Sequence, residues 1–91
     1  MTKVAGIPWY SREDYDDIRR AMADADALPD SFAYWLSSAE SVETAVASAG
    51  VTVVRVPLDL PGFLAWCEAK KVSPDGRARS SYASEMASRL P

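Results

Sequence analysis

The stretch VTVVRVP, residues 51–57, decides the fold, because it is the one convincing strand in the chain and a strand needs a partner. β-Branched residues fill five of its first six positions, and Pro57 stops it. Its alternate residues form two faces, Val51, Val53 and Arg55 on one and Thr52, Val54 and Val56 on the other. Both are mostly apolar, so the strand calls for cover on both sides. Buried alone, it would leave backbone donors and acceptors unpaired at about 1 to 3 kcal/mol each. Two arrangements remove that cost. The N-terminal TKVAGI (residues 2–7) can supply a short second strand, or residues 51–57 of another copy can pair across a two-fold axis. The expectation favours the second, a homodimer through the strand 51–57.

Helical patterns surround this strand. Upstream, Phe32, Trp35, Leu36, Ala39, Val42, Val46 and Ala49 make one apolar stripe, predicting a helix from about Ser31 to Ala49, with Asp30 as its cap and Gly50 as its left-handed stop. Pro29 separates it from a first helix. Ser11 can cap that helix, with Asp14 reaching back as in a capping box and Tyr10 and Tyr15 forming a hydrophobic staple. Glu13, Asp14, Asp16 and Asp17 crowd its first turns, where the helix dipole favours acids. Tyr15, Ile18, Met22 and Ala25 follow at helical spacing, which leaves Asp17, Arg20 and Asp24 to water and pairs Asp16 with Arg20.

Downstream, Asp59 caps a helix over about Leu60–Lys71, with Pro61 in its first turn, Phe63, Leu64 and Cys67 facing inward and Trp66 flanking them. VSPDG then opens a last helix capped by Ser73, with Ala78, Tyr82, Met86 and Leu90 recurring every four residues. The predicted fold class is α+β, mostly α: a single domain over 1–91 in the order helix-helix-strand-helix-helix, its central strand pairing with the N-terminal segment or across a dimer.

Composition narrows the function classes. A chain of 91 residues can bury about 60 to 65% of its unfolded surface without metal or disulfide. The lone Cys67 makes no internal disulfide, no secretory signal is visible, and no apolar run approaches the length of a membrane span, so the expected location is cytoplasmic, off the membrane. The net charge of −3 is uneven. Residues 1–50 hold nine acids against four bases, a balance of −5, and residues 51–91 six bases against four acids, a balance of +2. An acidic first half opposes nucleic-acid binding, which rests on neutralising phosphates.

The chain has no histidine, so the Ser-His and Cys-His nucleophile pairs are missing, and one cysteine excludes a structural zinc site within one chain. Glycines 6, 50, 62 and 76 are too far apart for a phosphate loop. Asp24, Asp26 and Asp30 of DADALPD lack the glycine and final glutamate of a calcium loop and read as a polar helix end. Cys67, on an apolar face, reads as a small buried hydrophobe. The sequence therefore predicts no enzyme, with no catalytic, cofactor-binding or metal-binding residue.

One stretch is left with a partner-binding reading. Trp9 and Tyr10 lie beside Pro8, just outside the first helix, and are rimmed by Arg12, Glu13 and Asp14, the expected contact set being Trp9, Tyr10, Arg12, Glu13, Asp16 and Asp17. They read as an aromatic corner closing the core or as an exposed contact surface for an unknown protein partner.

Two resemblances bear on function. Over nearly its whole length the chain is similar to a group of small bacterial proteins of unknown function, through GIPWYSREDY (6–15), YWLSSAE (34–40), VVRV (53–56), FLAWC (63–67) and DGRAR (75–79). That resemblance implies a free-standing bacterial domain and carries no activity, cofactor or site. From Arg55 onward, the order strand, Pro57, helix, Ser73-containing turn, helix resembles the ribbon-helix-helix repressors, whose paired strands read the major groove. Arg55 alone matches on the strand, because Val51 and Val53 stand where that family has polar or basic residues. The leading expectation is a non-enzymatic protein–protein interaction or regulatory module. The alternatives are an acidic inhibitor or nucleic-acid mimic that presents Glu13, Asp16, Asp17, Asp24 and Asp26 to a basic protein surface, and a ribbon-helix-helix-like DNA-binding regulator.

Overall fold

The computed structural model describes residues 3–89. Two strands and four helices follow in the order β1 (Val4–Trp9), α1 (Tyr15–Ala21), α2 (Phe32–Ser48), β2 (Thr52–Pro57), α3 (Leu60–Lys70) and α4 (Gly76–Ser88), with a 3₁₀ turn at Ala25–Ala27. The α+β, mostly helical class is the expected one. The order is corrected to strand-helix-helix-strand-helix-helix, because the N-terminal segment supplies a second strand.

Residues 51–57 find their partner within the chain: β1 and β2 pair in parallel, from Val4 opposite Thr52 to Trp9 opposite Pro57. Helices α1 and α2 form the long crossover that parallel pairing needs. VAGIPW hides its strand nature because Gly6 and Pro8 are poor strand residues, yet both fit here. Thr52 N–H donates to Lys3 O and Leu58 N–H to Trp9 O, each at 2.9 Å. In a parallel ladder, that alternation turns the nitrogen of Pro8 away from β2, so its missing hydrogen costs no ladder bond. Gly6 lies where α4 crosses β1. A Cβ there would run into the Ala83 carbonyl and the Ala87 methyl.

The sheet is therefore covered on both faces, α4 lying along β1 on one and α2 over β2 on the other. On the α4 side Val56, Ala83 and Ala87 make a small apolar cluster. The main core gathers at the other end, around Tyr15, Ile18 and Phe63, with Tyr10, Met22, Trp35, Cys67 and Tyr82. Cys67 is buried, and burial pushes its thiol pKa up.

Cap positions differ from expectation by a few residues. Ser11 Oγ accepts the Asp14 amide as expected, at 3.2 Å, but α1 starts only after Asp14, so the serine tightens a preceding turn. Tyr10 and Tyr15 do meet, with ring centroids 6.1 Å apart, but across the turn before α1, since the later start makes Tyr15 the first helical residue and not the fourth that a staple needs. Arg20 pairs with Asp17 in place of Asp16. Ser31, not Asp30, caps α2, accepting from Tyr34 N–H, and Asp30 is drawn aside to Arg19 at 2.9 Å. Asp59 caps α3 as expected. Asp75, not Ser73, caps α4.

The apolar stripe of α2 buries Trp35 and Ala39 but leaves Val42 exposed, with a sheet of only two strands to lie on. Leu64, expected inside, is on the surface, since α3 buries only Phe63 and Cys67. Gly50 (φ 84°) supplies the left-handed stop beyond α2. Thr2 of the expected N-terminal strand and Leu90 of the expected last stripe lie outside the described residues.

Candidate functional site

The sequence-predicted residues Trp9, Tyr10, Arg12, Glu13, Asp16 and Asp17 do not form one surface. β1 ends at Trp9, and the chain turns inward there. Tyr10 is 3% exposed, its ring 4.6 Å from that of Trp35, which removes it from any contact surface. Burial raises the Tyr10 pKa, with the nearby Arg79 guanidinium opposing the rise. Trp9 is half-buried and meets Trp35 edge-on at 5.3 Å. Arg12, Glu13, Asp16 and Asp17 stay exposed.

Two arginines organise what is left. Arg12 lies over the Phe32 ring at 4.8 Å, and Arg55 over the Trp9 ring at 4.0 Å. Phe32 and Trp9 both touch Trp35, Phe32 at 5.4 Å, so a continuous row runs Arg12, Phe32, Trp35, Trp9, Arg55. Glu43 from α2 closes the row by taking Arg55 Nε at 2.7 Å and Nη2 at 2.8 Å. That forked pairing holds the Glu43 carboxyl below the usual carboxylate range. Two positively charged planes over aromatic faces, on a rim open to solvent, suit contact with another protein better than they suit bond-making chemistry. The row's signal in the sequence was modest but present: Arg55 is the only charge in its strand, and Glu43 is next to Val42 in the apolar stripe.

A second cluster had no sequence signal. Asp24, expected to face water, accepts Arg79 Nη1 at 2.8 Å and Nη2 at 3.3 Å, and the Gly76 amide at 3.0 Å. Ala23 N–H donates to Pro74 O at 2.9 Å alongside. The Arg79 side chain is 8% exposed and that of Asp24 31%. The Arg79 hydrogen bonds keep the Asp24 pKa below its ordinary value. This clasp ties the end of α1 to the start of α4 across more than fifty residues, and each of its charges is answered by the other.

A cleft of about 400 Å³ opens between α3 and α4, lined by Trp66, Val72, Ser73, Asp75, Arg77 and Ser81. Trp66 is held there by its indole N–H, which donates to Glu85 at 2.7 Å. Asp75 already caps α4 through the Ala78 amide at 2.9 Å. Among the described residues no group of three or more histidine, cysteine, aspartate or glutamate side chains is placed to hold a metal ion, and no helix is long and apolar enough to cross a membrane. Compared with protein-family models, with curated proteins and with solved structures, the chain matches none.

Proposed function

We propose that the chain is a non-enzymatic intracellular contact protein, of the kind implied by its resemblance to small bacterial proteins through the GIPWYSREDY stretch. The observation that carries this reading is the arginine-capped aromatic row, in which Arg12 and Arg55 lie over the rings of Phe32 and Trp9 at the surface. Arginine and tryptophan are the residue types that dominate protein–protein hot spots, and here both are held in one geometry before any partner arrives. The partner is a protein, with nucleic acid disfavoured by the acidic first half. Affinity capture from the host with wild type and with the double variant Arg12→Ala, Arg55→Ala tests it. A specific partner lost from the variant supports the row, and an unchanged set of partners rejects it. Trp9→Ala is the poorer probe, because Trp9 also packs on Trp35.

The acidic-mimic reading keeps one observation of its own: Glu13, Asp16 and Asp26 are exposed and in no ion pair among the described residues. Asp24 no longer belongs to that surface. Salt-sensitive binding to a nucleic-acid-handling protein, abolished by Asp16→Asn with Asp17→Asn, would favour the mimic over the row. The ribbon-helix-helix reading has less behind it, since Arg55 is engaged by Glu43 and Trp9 and α2 covers its strand.

A further inference from the structure

Each strand of a two-stranded sheet keeps one edge unpaired, and here the two edges differ. In the parallel ladder the even-numbered residues of β2, from Thr52 to Leu58, direct their amides at β1. The N–H and C=O groups of Val53 and Arg55 therefore point outward, and neither amide has a hydrogen-bond partner among the described residues. Pro57 also faces outward and has no N–H to offer, which limits pairing to the strand's first part. The β1 edge offers less, because its outward residues are Val4, Gly6 and Pro8, and Pro8 sits inside the strand with no N–H to give.

We infer that the outer edge of β2 seats the β2 strand of a second copy, antiparallel and with the two-fold axis at Val54. This rests on the contact-protein reading and names its first partner. About this axis Val53 of each copy faces Arg55 of the other, and the two exchange every outward N–H and C=O they hold. Val54 meets its own counterpart, a close β-branched pair on the α4 face. A two-fold at Arg55 would instead set like charges directly opposite each other and spend Val53 on a proline.

Charge also fits a copy of the same chain. Glu43 uses two of the five guanidinium hydrogens of Arg55, whose side chain is 49% exposed. The axis places the two pairs on the same face of the joined sheet. The product is a four-stranded sheet ordered β1-β2-β2-β1, with helices on both faces.

Sedimentation velocity of the full chain from about 10 µM to about 1 mM tests this, a range set by how short the edge is. A reversible dimer is expected. Val53→Pro removes one outward donor per copy and no ladder bond, so the dimer should weaken about thirtyfold, as two ordinary hydrogen bonds imply. Thr52→Lys, at an exposed position, places a charge against Val56 of the other copy and should weaken it as well without touching the fold. Circular dichroism checks that both variants are folded. A wild type monomeric throughout overturns the inference, and so does a dimer indifferent to both substitutions. The two readings fail separately. A monomer that still captures a foreign protein through Arg12 and Arg55 sinks only the self-pairing. A dimer whose captured foreign partners are unchanged by Arg12→Ala, a substitution away from the β2 edge, sinks only the row.

Discussion

Two arginine–carboxylate pairs of the same chemistry occupy opposite situations in this molecule. Arg55 and Glu43 meet at the surface through two charge-assisted hydrogen bonds of 2.7 and 2.8 Å. Arg79 and Asp24 meet with Arg79 buried, at 2.8 and 3.3 Å, and Asp24 also holds the Gly76 amide. The hydrogen bonds alone would rank the surface pair first. Burial reverses that order. In water each Arg55 or Glu43 charge is well solvated without its partner, so their pairing fixes a side chain more than it stabilises the fold. Arg79 has no such recourse, because removing its carboxylate strands a charge among Tyr10 and the packed start of α4.

The largest effect should follow from leaving that charge alone. Asp24→Ala is expected to cost about 3 to 5 kcal/mol, the range for breaking a buried pair from one side, measured by urea unfolding. Arg79→Met should cost less. Its unbranched side chain keeps much of the arginine stem's packing, and the Asp24 left behind is partly open to water and still bonded to Gly76 N–H. Equal costs for the two variants would show that the clasp matters as packing and not as a paired charge.

Acid should find the same asymmetry. The Arg79 hydrogen bonds lower the Asp24 pKa in the folded state, so the stability this group contributes is complete above the unfolded aspartate value, near about 4, and is lost as pH falls through the lower folded value. Glu43 and Glu85 are depressed too, by Arg55 and by the Trp66 indole N–H, and push in the same direction. They face water, so added salt should weaken their share. Asp24→Asn is expected to flatten the stability-against-pH curve below pH about 4, in high salt as well as low. A curve parallel to wild type would assign the acid sensitivity to the surface pairs.

How much of this was legible follows from the distance over which each interaction acts. The contact of Tyr10 with Tyr15, the Asp59 cap and the Gly50 stop are settled within a few residues of chain, and each was readable from its neighbours. The strand at 51–57 was readable as well, but its partner was not, because VAGIPW carries a glycine and a proline whose fitness depends on α4 and on which way the strand faces. Nor did the α2 stripe say how far the sheet would extend beneath it, which is why Val42 was expected inside. The clasp was invisible for a related reason. Asp24 sits where a polar helix end is ordinary, and Arg79 is one of several cations in the second half. Only the folded chain sets them 2.8 Å apart. For the candidate site, the sequence singled out Trp9 and Arg12 and missed Phe32, Glu43 and Arg55 as their companions, since those sit on other elements.

The smallest expected effects belong to the surface pair, and they still separate its two roles. Glu43→Ala should leave the unfolding midpoint close to that of wild type, as exposed pairs usually do. Arg55 would still lie over Trp9, 4.0 Å from the ring centroid, because that contact needs the guanidinium plane and not the carboxylate. Arg55→Ala should leave the midpoint little changed too, but it uncovers the Trp9 ring, so acrylamide quenching of tryptophan fluorescence should rise in Arg55→Ala and not in Glu43→Ala. If Glu43→Ala raises quenching equally, the carboxylate is what holds the arginine in place, and the aromatic row depends on the ion pair. If neither variant changes quenching, Arg55 is not a lid on Trp9 in solution, and the contrast with the buried clasp widens: one pair that the fold cannot lose, and one that does not even shield its neighbour.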